Sequence, residues 1–328
     1  MKIDFHCHYI PEPLIQLPAE PQAYNIYVTR GSGGEVLHNA RQQVTWFDRE
    51  QMYSIPRRLT DMDAQGIDVE AISVPPFATV YDLDPKVAVE VCQIFNDHFA
   101  QTMKTTPRRF AALANLPMQD GEAAAGELER AVKELGLKGA EITTNIAGRN
   151  LDDQSLTPFY RKMQELDVPV FIHPHNVLGQ DRLSRYHLGN LIGNPTDTAV
   201  AAASLIFGGV LKEFPRLKFV LAHGGGSCPL LRGRWEHGWS VRPEAKVHIQ
   251  RPPSEYFRLL YFDSLAHTIP GLTYLVETVG SERIVIGTDY PFDMGDYQSV
   301  KTIASVPRVT DAQRQRMWGD NAAELLKL

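Results

Sequence analysis

Five residues of this 328-residue chain combine a side chain able to bind a metal ion or move a proton with a place at the end of an apolar run. His6 and His8 fall in Asp-Phe-His-Cys-His, two apart, so in an extended chain both side chains leave on one face. His173 closes Val-Phe-Ile-His-Pro, His223 closes Val-Leu-Ala-His-Gly-Gly-Gly, and Asp289 closes Ile-Gly-Thr-Asp-Tyr-Pro. Imidazole nitrogen and carboxylate oxygen suit zinc and related divalent ions. Three or four such ligands with one position left open make a catalytic site, because the ion can bind and acidify a water. Each residue alone has a plainer explanation: a strand-end histidine is often only hydrogen-bonded, and an aspartate often caps a turn. Their joint placement, at the same end of separate elements, favours a metal site.

Other features near these residues are less decisive. His175 follows His173 by two and is either a second pocket residue or part of a loop. Gly224-Gly225-Gly226 lets the backbone turn tightly beside a ligand. A phosphate cradle is the competing explanation, but no P-loop Lys-Ser/Thr follows. Arg232 and Arg234 are candidates to hold a substrate carboxylate in a two-pronged pair, or else belong to a solvated helix face. Cys7, between two ligand candidates, should point away from them as a packing thiol, and Cys228 lacks a convincing nucleophile setting. His38, His98, His187, His237, His248 and His267 default to surface or packing roles.

The elements that must position these groups alternate. Short apolar runs occur at Lys2–Phe5, Val69–Val74, Phe110–Ala114, Leu137–Ile142, Val168–Ile172, Leu217–Ala222, Leu259–Asp263 and Arg283–Gly287. Continuous apolar runs suit strands buried on both faces. Helical periodicity lies between them, over Arg57–Gln65, Pro85–Met103, Glu122–Leu135, Leu156–Leu166, Asp197–Phe214, Thr273–Val279 and Asp311–Leu328, with Asp311 near the N-cap of the last. Eight strands alternating with helices predict an α/β fold, a (β/α)8 barrel occupying residues 1–328 as one domain. An open doubly wound sheet is the alternative, unsupported by any GxGxxG after the first strand. The excess length falls at about residues 9–55 and at 174–196. Both are insertions after strands one and five, on the face where barrel active sites sit.

Composition narrows the function. Hydrophobic residues are 43% and charged residues 22%, so the chain is an ordinary globular protein. No run approaches the 18 apolar residues of a membrane helix. The net charge of −6, without a Lys/Arg cluster, disfavours nucleic acid but leaves room for a small anionic substrate. Three cysteines with no CxxC pair exclude a disulfide framework and a zinc ribbon. The sequence MKIDFHCH has no secretory pattern, so a reducing cytoplasm is the expected location.

His-Cys-His at 6–8, Phe-Ile-His-Pro at 171–174, Leu-Ala-His-Gly-Gly-Gly at 221–226 and Gly-Thr-Asp-Tyr-Pro-Phe at 287–292 resemble the amidohydrolase superfamily. Asn-Leu-Pro-Met-Gln at 115–119, Gly-Gly-Val-Leu-Lys-Glu-Phe-Pro at 208–215 and Gly-Arg-Trp-Glu-His-Gly at 233–238 resemble its decarboxylase branch, typified by α-amino-β-carboxymuconate-ε-semialdehyde decarboxylase. The resemblance implies a (β/α)8 barrel with one divalent ion, usually Zn2+, with Mn2+ or Co2+ as alternatives. It implies that His6, His8, His173 and Asp289 bind the metal and that His223 is the catalytic acid/base, with Asp289 catalytic as well as a ligand. It also implies a homodimer in which Arg234 crosses the interface to hold substrate carboxylate. The branch has a tryptophan after the strand-five His-Pro, where this chain has His175, and a second arginine in the first insertion, for which Arg41 and Arg49 are the candidates. The expected activity is therefore non-oxidative decarboxylation of a small unsaturated or aromatic carboxylic acid. Hydrolysis or hydration of a related small carboxylate is the alternative, since it uses nearly the same residues.

Overall fold

In the computed structural model, which describes residues 1–12, 27–31, 34–38, 43–45 and 50–328, all eight apolar runs form strands. They are β1 (Ile3–His8), β2 (Val69–Ser73), β3 (Phe110–Ala114), β4 (Gly139–Thr143), β5 (Pro169–His173), β6 (Lys218–Leu221), β7 (Tyr261–Asp263) and β8 (Ile284–Tyr290). Each pairs in parallel with its neighbours in sequence, and β8 closes on β1 with Asp4 opposite Ile286. The chain is thus a (β/α)8 barrel, and closure excludes the open sheet. Three strand ends run past the apolar signal: β1 includes both His6 and His8, β5 includes His173, and β8 includes Asp289. The reason is that these polar residues lie inside the barrel mouth, where hydrophobicity no longer marks burial.

Continuous apolar runs arise because each strand is covered twice. Phe5, Ala71, Leu113, Phe171, Val220 and Val285 fill the barrel interior. Ile72, Ala112, Ile142, Ile172, Leu221 and Ile286 pack outward into the larger cluster shared with the helices. Phe5 and Phe171 meet edge to face at 6.0 Å. Truncating such a buried phenylalanine to alanine costs about 3–5 kcal/mol. Ala322, Leu325 and Leu326, on the last helix (Asn321–Leu326), join the interior cluster beside Ile3 and Val69.

The surrounding helices include α1 (Ile55–Gln65), α2 (Pro85–Thr105), α3 (Gly121–Lys133), α4 (Thr157–Leu166), α5 (Asn194–Phe207), α6 (Cys228–Val241) and α7 (Ile269–Val279). Ser54, Asp84, Asp120 and Thr268 cap α1, α2, α3 and α7 by accepting from their first amides. The helix expected at 197–214 is two pieces, because Gly209 takes a φ of 84° and a short helix restarts at Val210. The last helical stretch is capped by Thr310, with Asp311 its first residue. Thr310 and Gln313 form a reciprocal capping box there, and a π turn at Arg316–Asp320 interrupts the stretch.

The segment after β1 holds an antiparallel three-stranded sheet, Tyr27–Gly31, Gly34–His38 and Gln43–Thr45, which its weak periodicity did not suggest. Arg41 and Arg49 lie outside the described residues. The segment after β5 holds a short helix, Gln180–Leu183, and a π turn, Gly189–Gly193, that runs into α5.

Candidate active site

The C-terminal ends of β1, β5 and β8 bring His6, His8, His173 and Asp289 together. One donor atom from each lies within 4.8 Å of the others, and all four residues are buried. Asp289 Oδ1 is 3.2 Å from both His6 Nε2 and His8 Nε2. For metal–ligand bonds of about 2.0–2.2 Å, adjacent donors sit roughly 2.8–3.6 Å apart for octahedral to tetrahedral angles, so this spacing fits one ion. The second observation is what these atoms lack. His6 Nε2, His8 Nε2, His173 Nε2 and Asp289 Oδ1 are buried with no hydrogen-bond partner among the described residues, a costly state unless something binds there.

The opposite ring nitrogens are held. His8 Nδ1 donates to the Val74 carbonyl at 3.1 Å and His173 Nδ1 to the Pro174 carbonyl at 3.0 Å, which leaves each Nε2 with its lone pair facing the cluster. His6 Nδ1 lies 2.6 Å from Asp263 Oδ2. Asp263, the last residue of β7, also accepts from the amides of His223 at 2.9 Å, Gly224 at 2.7 Å and Leu265 at 3.0 Å. It therefore orients a ligand candidate and the catalytic candidate at once. Sequence reasoning placed it in a strand without assigning it a role, although the signal, an aspartate ending an apolar run, was the one that marked Asp289.

Electrostatics follow from burial and these pairs. Burial opposes protonation of His6, but the Asp289 and Asp263 carboxylates outweigh it and hold the metal-free ring at about 10. Burial lowers His8, and burial together with the neighbouring histidines lowers His173 well below the ordinary value. Against its own desolvation, Asp289 is held far below the usual carboxylate range by His6 and then His223. Glu141, pointing inward from β4, is fully buried, and among the described residues neither of its oxygens has a hydrogen-bond partner. Burial pushes it up to about 8, and it lies 3.9 Å from His8 Nδ1. Buried Arg58 of α1 pairs with Glu70, and both its terminal nitrogens donate to the His8 carbonyl, at 2.9 and 2.8 Å.

His223 follows β6 in a turn with Gly224 and Gly225, and its Nε2 lies 3.5 Å from Asp289 Oδ2. Both residues adopt left-handed backbone, φ 56° and 58°, a conformation that costs energy and clusters at functional sites. The glycines allow close approach: a Cβ on Gly226 would stand 2.3 Å from the Pro195 carbonyl oxygen. Cys7 and Cys228 are buried and reduced, as packing thiols should be.

Two cavities open on this cluster. One, of about 330 Å³, lies along His223, Leu265, His267, Leu275 and Pro229. The other, of about 570 Å³, lies along Phe77, His173, His175, His187 and Phe292. His175 thus faces the site, as do His187 and His267, which sequence reasoning had left to surface or packing. They reach it from the segments after β5 and β7. Arg234 is exposed on α6 and lines neither cavity of its own chain. Arg232 donates to the Thr278 carbonyl at 3.3 Å and ties α6 to α7.

The family model described as Amidohydrolase matches residues 3–328. The chain is similar to 2-amino-3-carboxymuconate-6-semialdehyde decarboxylase of Dictyostelium discoideum, 36% identical over 100% of this chain and 92% of that one. It is similar to gamma-resorcylate decarboxylase of Rhizobium sp. (strain MTP-10005), 33% identical over 83% and 86%. Among solved structures it is similar to a dihydroxybenzoic acid decarboxylase from Polaromonas sp. JS666 with bound manganese and the inhibitor 2-nitroresorcinol. That likeness has a TM-score of 0.80 and 27% identity, covering 100% and 97% of the two chains.

Proposed function

The chain belongs to the amidohydrolase family, and from that premise we propose that it is a metal-dependent, non-oxidative decarboxylase of a small aromatic or unsaturated carboxylic acid. The observation that carries this reading is the convergence of four buried, unpartnered donor atoms beside His223, at the meeting of two largely apolar cavities.

In this reading His6, His8, His173 and Asp289 hold one divalent ion. When bound there, the ion supplies Lewis-acid polarisation of substrate oxygens and of water. Three imidazoles and a carboxylate suit zinc and also accept manganese, the metal in the Polaromonas structure. His223 carries the proton: the carbon–carboxylate bond breaks, CO2 leaves, the electron pair stays on carbon, and the His223 ring delivers a proton to that carbon. Asp289 Oδ2 steadies the imidazolium, and the Asp263 carboxylate fixes the backbone from which the ring projects. His175 faces the substrate from the larger cavity. Arg234 anchors a carboxylate from the neighbouring copy of a homodimer, a role that its exposure on α6, beside exposed Leu230 and Val241, supports. Three unpaired cysteines accord with a cytoplasmic protein.

The test is product analysis of metal-loaded protein with carboxylated phenols, muconate semialdehydes and lactones. CO2 release without uptake of water is the expected result. Water uptake without CO2 would make the protein a hydratase or hydrolase instead. His223→Ala should keep its metal and lose about 10²–10⁴-fold in turnover; normal turnover in that variant would remove His223 from the reaction.

A further inference from the structure

The larger cavity owes one wall to the chain that leaves β5: Pro174, His175, Asn176 and Val177 line it in succession. This stretch is neither helix nor strand. Asn176 takes left-handed backbone, φ 49°, a conformation that persists only where surrounding contacts over-determine it.

Those contacts come from two buried side chains, Asn145 just after β4 and Asp197 in the first turn of α5. Asn145 Nδ2 donates to the His175 carbonyl at 2.9 Å, to the Asn176 carbonyl at 3.3 Å and to Asp197 Oδ2 at 3.0 Å. Its Oδ1 accepts from the Gly148 amide at 2.9 Å. That amide can only donate, so the orientation of the carboxamide is fixed. Asp197 Oδ1 accepts from the Leu178 amide at 3.1 Å, and Oδ2 also accepts from the Thr144 hydroxyl. The Thr144 amide in turn donates to the His173 carbonyl at 3.0 Å. One carboxamide and one carboxylate thus grip His175, Asn176 and Leu178 and tie them to the residue that ends β5 in the metal-ligand cluster. Packing agrees: a Cβ on Gly193 would stand 2.4 Å from Val177 Cγ2. Neither Asn145 nor Asp197 lines a cavity.

We propose that Asn145 and Asp197 are positioning residues for the substrate: they hold the His175–Leu178 wall in register with His173 and so set affinity in the larger cavity without touching substrate or metal. The proposal deepens, and rests on, the reading that this cavity takes the substrate. Without the anchors the wall is in place for only part of the time, and apparent affinity falls by that fraction while the reacting groups stay as they are. A wall in place for about a tenth of the time raises KM about tenfold.

The experiment uses whichever compound of the product-analysis panel the metal-loaded protein turns over, and adds hydrogen exchange across residues 174–178. Asn145→Ala should raise KM about tenfold, keep kcat within about twofold, leave manganese affinity unchanged and speed exchange in 174–178 but not in β5. Asp197→Asn alone sets two NH2 groups against each other. Combined with Asn145→Asp, it regains a donor–acceptor pair between the two positions but leaves no N–H for the His175 and Asn176 carbonyls. The double variant should therefore melt above Asp197→Asn yet keep the high KM, and it carries the test if Asn145→Ala does not fold. A KM restored together with the melting temperature, an unchanged KM in Asn145→Ala, or a kcat that falls along with metal affinity would overturn the proposal. If no acid yields CO2, the decarboxylase reading fails, and exchange then decides the anchoring by itself: faster exchange in 174–178 upholds it and unchanged exchange overturns it.

Discussion

Asp263→Asn changes one oxygen to an amide nitrogen without altering size, and the structure says where that change is felt. The carboxylate accepts from two backbone amides through Oδ1 and from His6 Nδ1 and the His223 amide through Oδ2. An asparagine that keeps its oxygen toward Gly224 and Leu265 turns its NH2 toward His6 Nδ1 and the His223 amide. The NH2 then faces two donors; the His223 amide simply loses its acceptor, and the His6 contact is relieved only if His6 moves its proton to Nε2, the atom that would face the metal with a lone pair. Losing such an orienting partner costs 10–100-fold in metal affinity, about 1.4–2.7 kcal/mol. The assay is chelator competition with Zn2+ and Mn2+ on metal-free protein, run beside thermal melting to show that the variant is folded. A folded Asp263→Asn protein with wild-type affinity for both ions would refute the tautomer argument.

Other predictions bear on the same cluster. Gly287→Ala places a Cβ 2.7–2.9 Å from the Asp263 Cβ, Cγ and Oδ2 atoms, so it should reproduce the affinity loss of Asp263→Asn by displacement; chelator competition checks it, and an unchanged affinity would mean that Asp263 can shift freely. His6 near 10 means that the metal-free ring is protonated at pH 7, and metal binding must displace that proton. Calorimetry in buffers of different ionisation enthalpy should register about one proton released at pH 7 and an apparent affinity that climbs as pH rises toward 10; zero release contradicts this. Glu141, raised from 4.5 to about 8, binds its proton more tightly folded than unfolded, so between those pH values it makes metal-free stability fall as pH rises. Glu141→Gln, neutral and equal in size, should raise the melting temperature of metal-free protein more at pH 8 than at pH 5, and an equal effect at both would show that the carboxyl is not neutral at low pH.

The barrel and the cluster of candidate ligands at its mouth were legible because both obey strand alternation. An apolar run that ends in histidine or aspartate announces a strand whose last residues turn into a polar mouth, and His6, His8, His173 and Asp289 follow that rule. Strand ends were read short for the same reason, since hydrophobicity stops where the ligands begin. Asp263 was hidden because its importance lies in partners spread over β1, the His223 turn and its own loop, all but Leu265 distant from it in sequence. Glu141 was hidden by Gly-Ala-Glu-Ile-Thr, which reads equally as an edge strand with a solvated acid until closure of the barrel turns it inward.

The Arg58 clamp has a consequence for the long excursion after β1. The chain leaves the barrel at Ile10, whose amide bonds to the Met52 carbonyl at 3.1 Å, and Arg58 grips the His8 carbonyl from the returning helix. Residues 11–51 are therefore a graft closed at its stem, with the rootstock anchored independently of what grows from it. Loop-closure entropy rises only about 0.6 kcal/mol per doubling of length, so lengthening, trimming or exchanging this segment should leave the ligand histidines in register. The barrel can in this way receive a different first insertion and keep the same candidate metal site, with the Ile10–Met52 hydrogen bond marking the seam and Arg58 and Glu70 holding the barrel side of it.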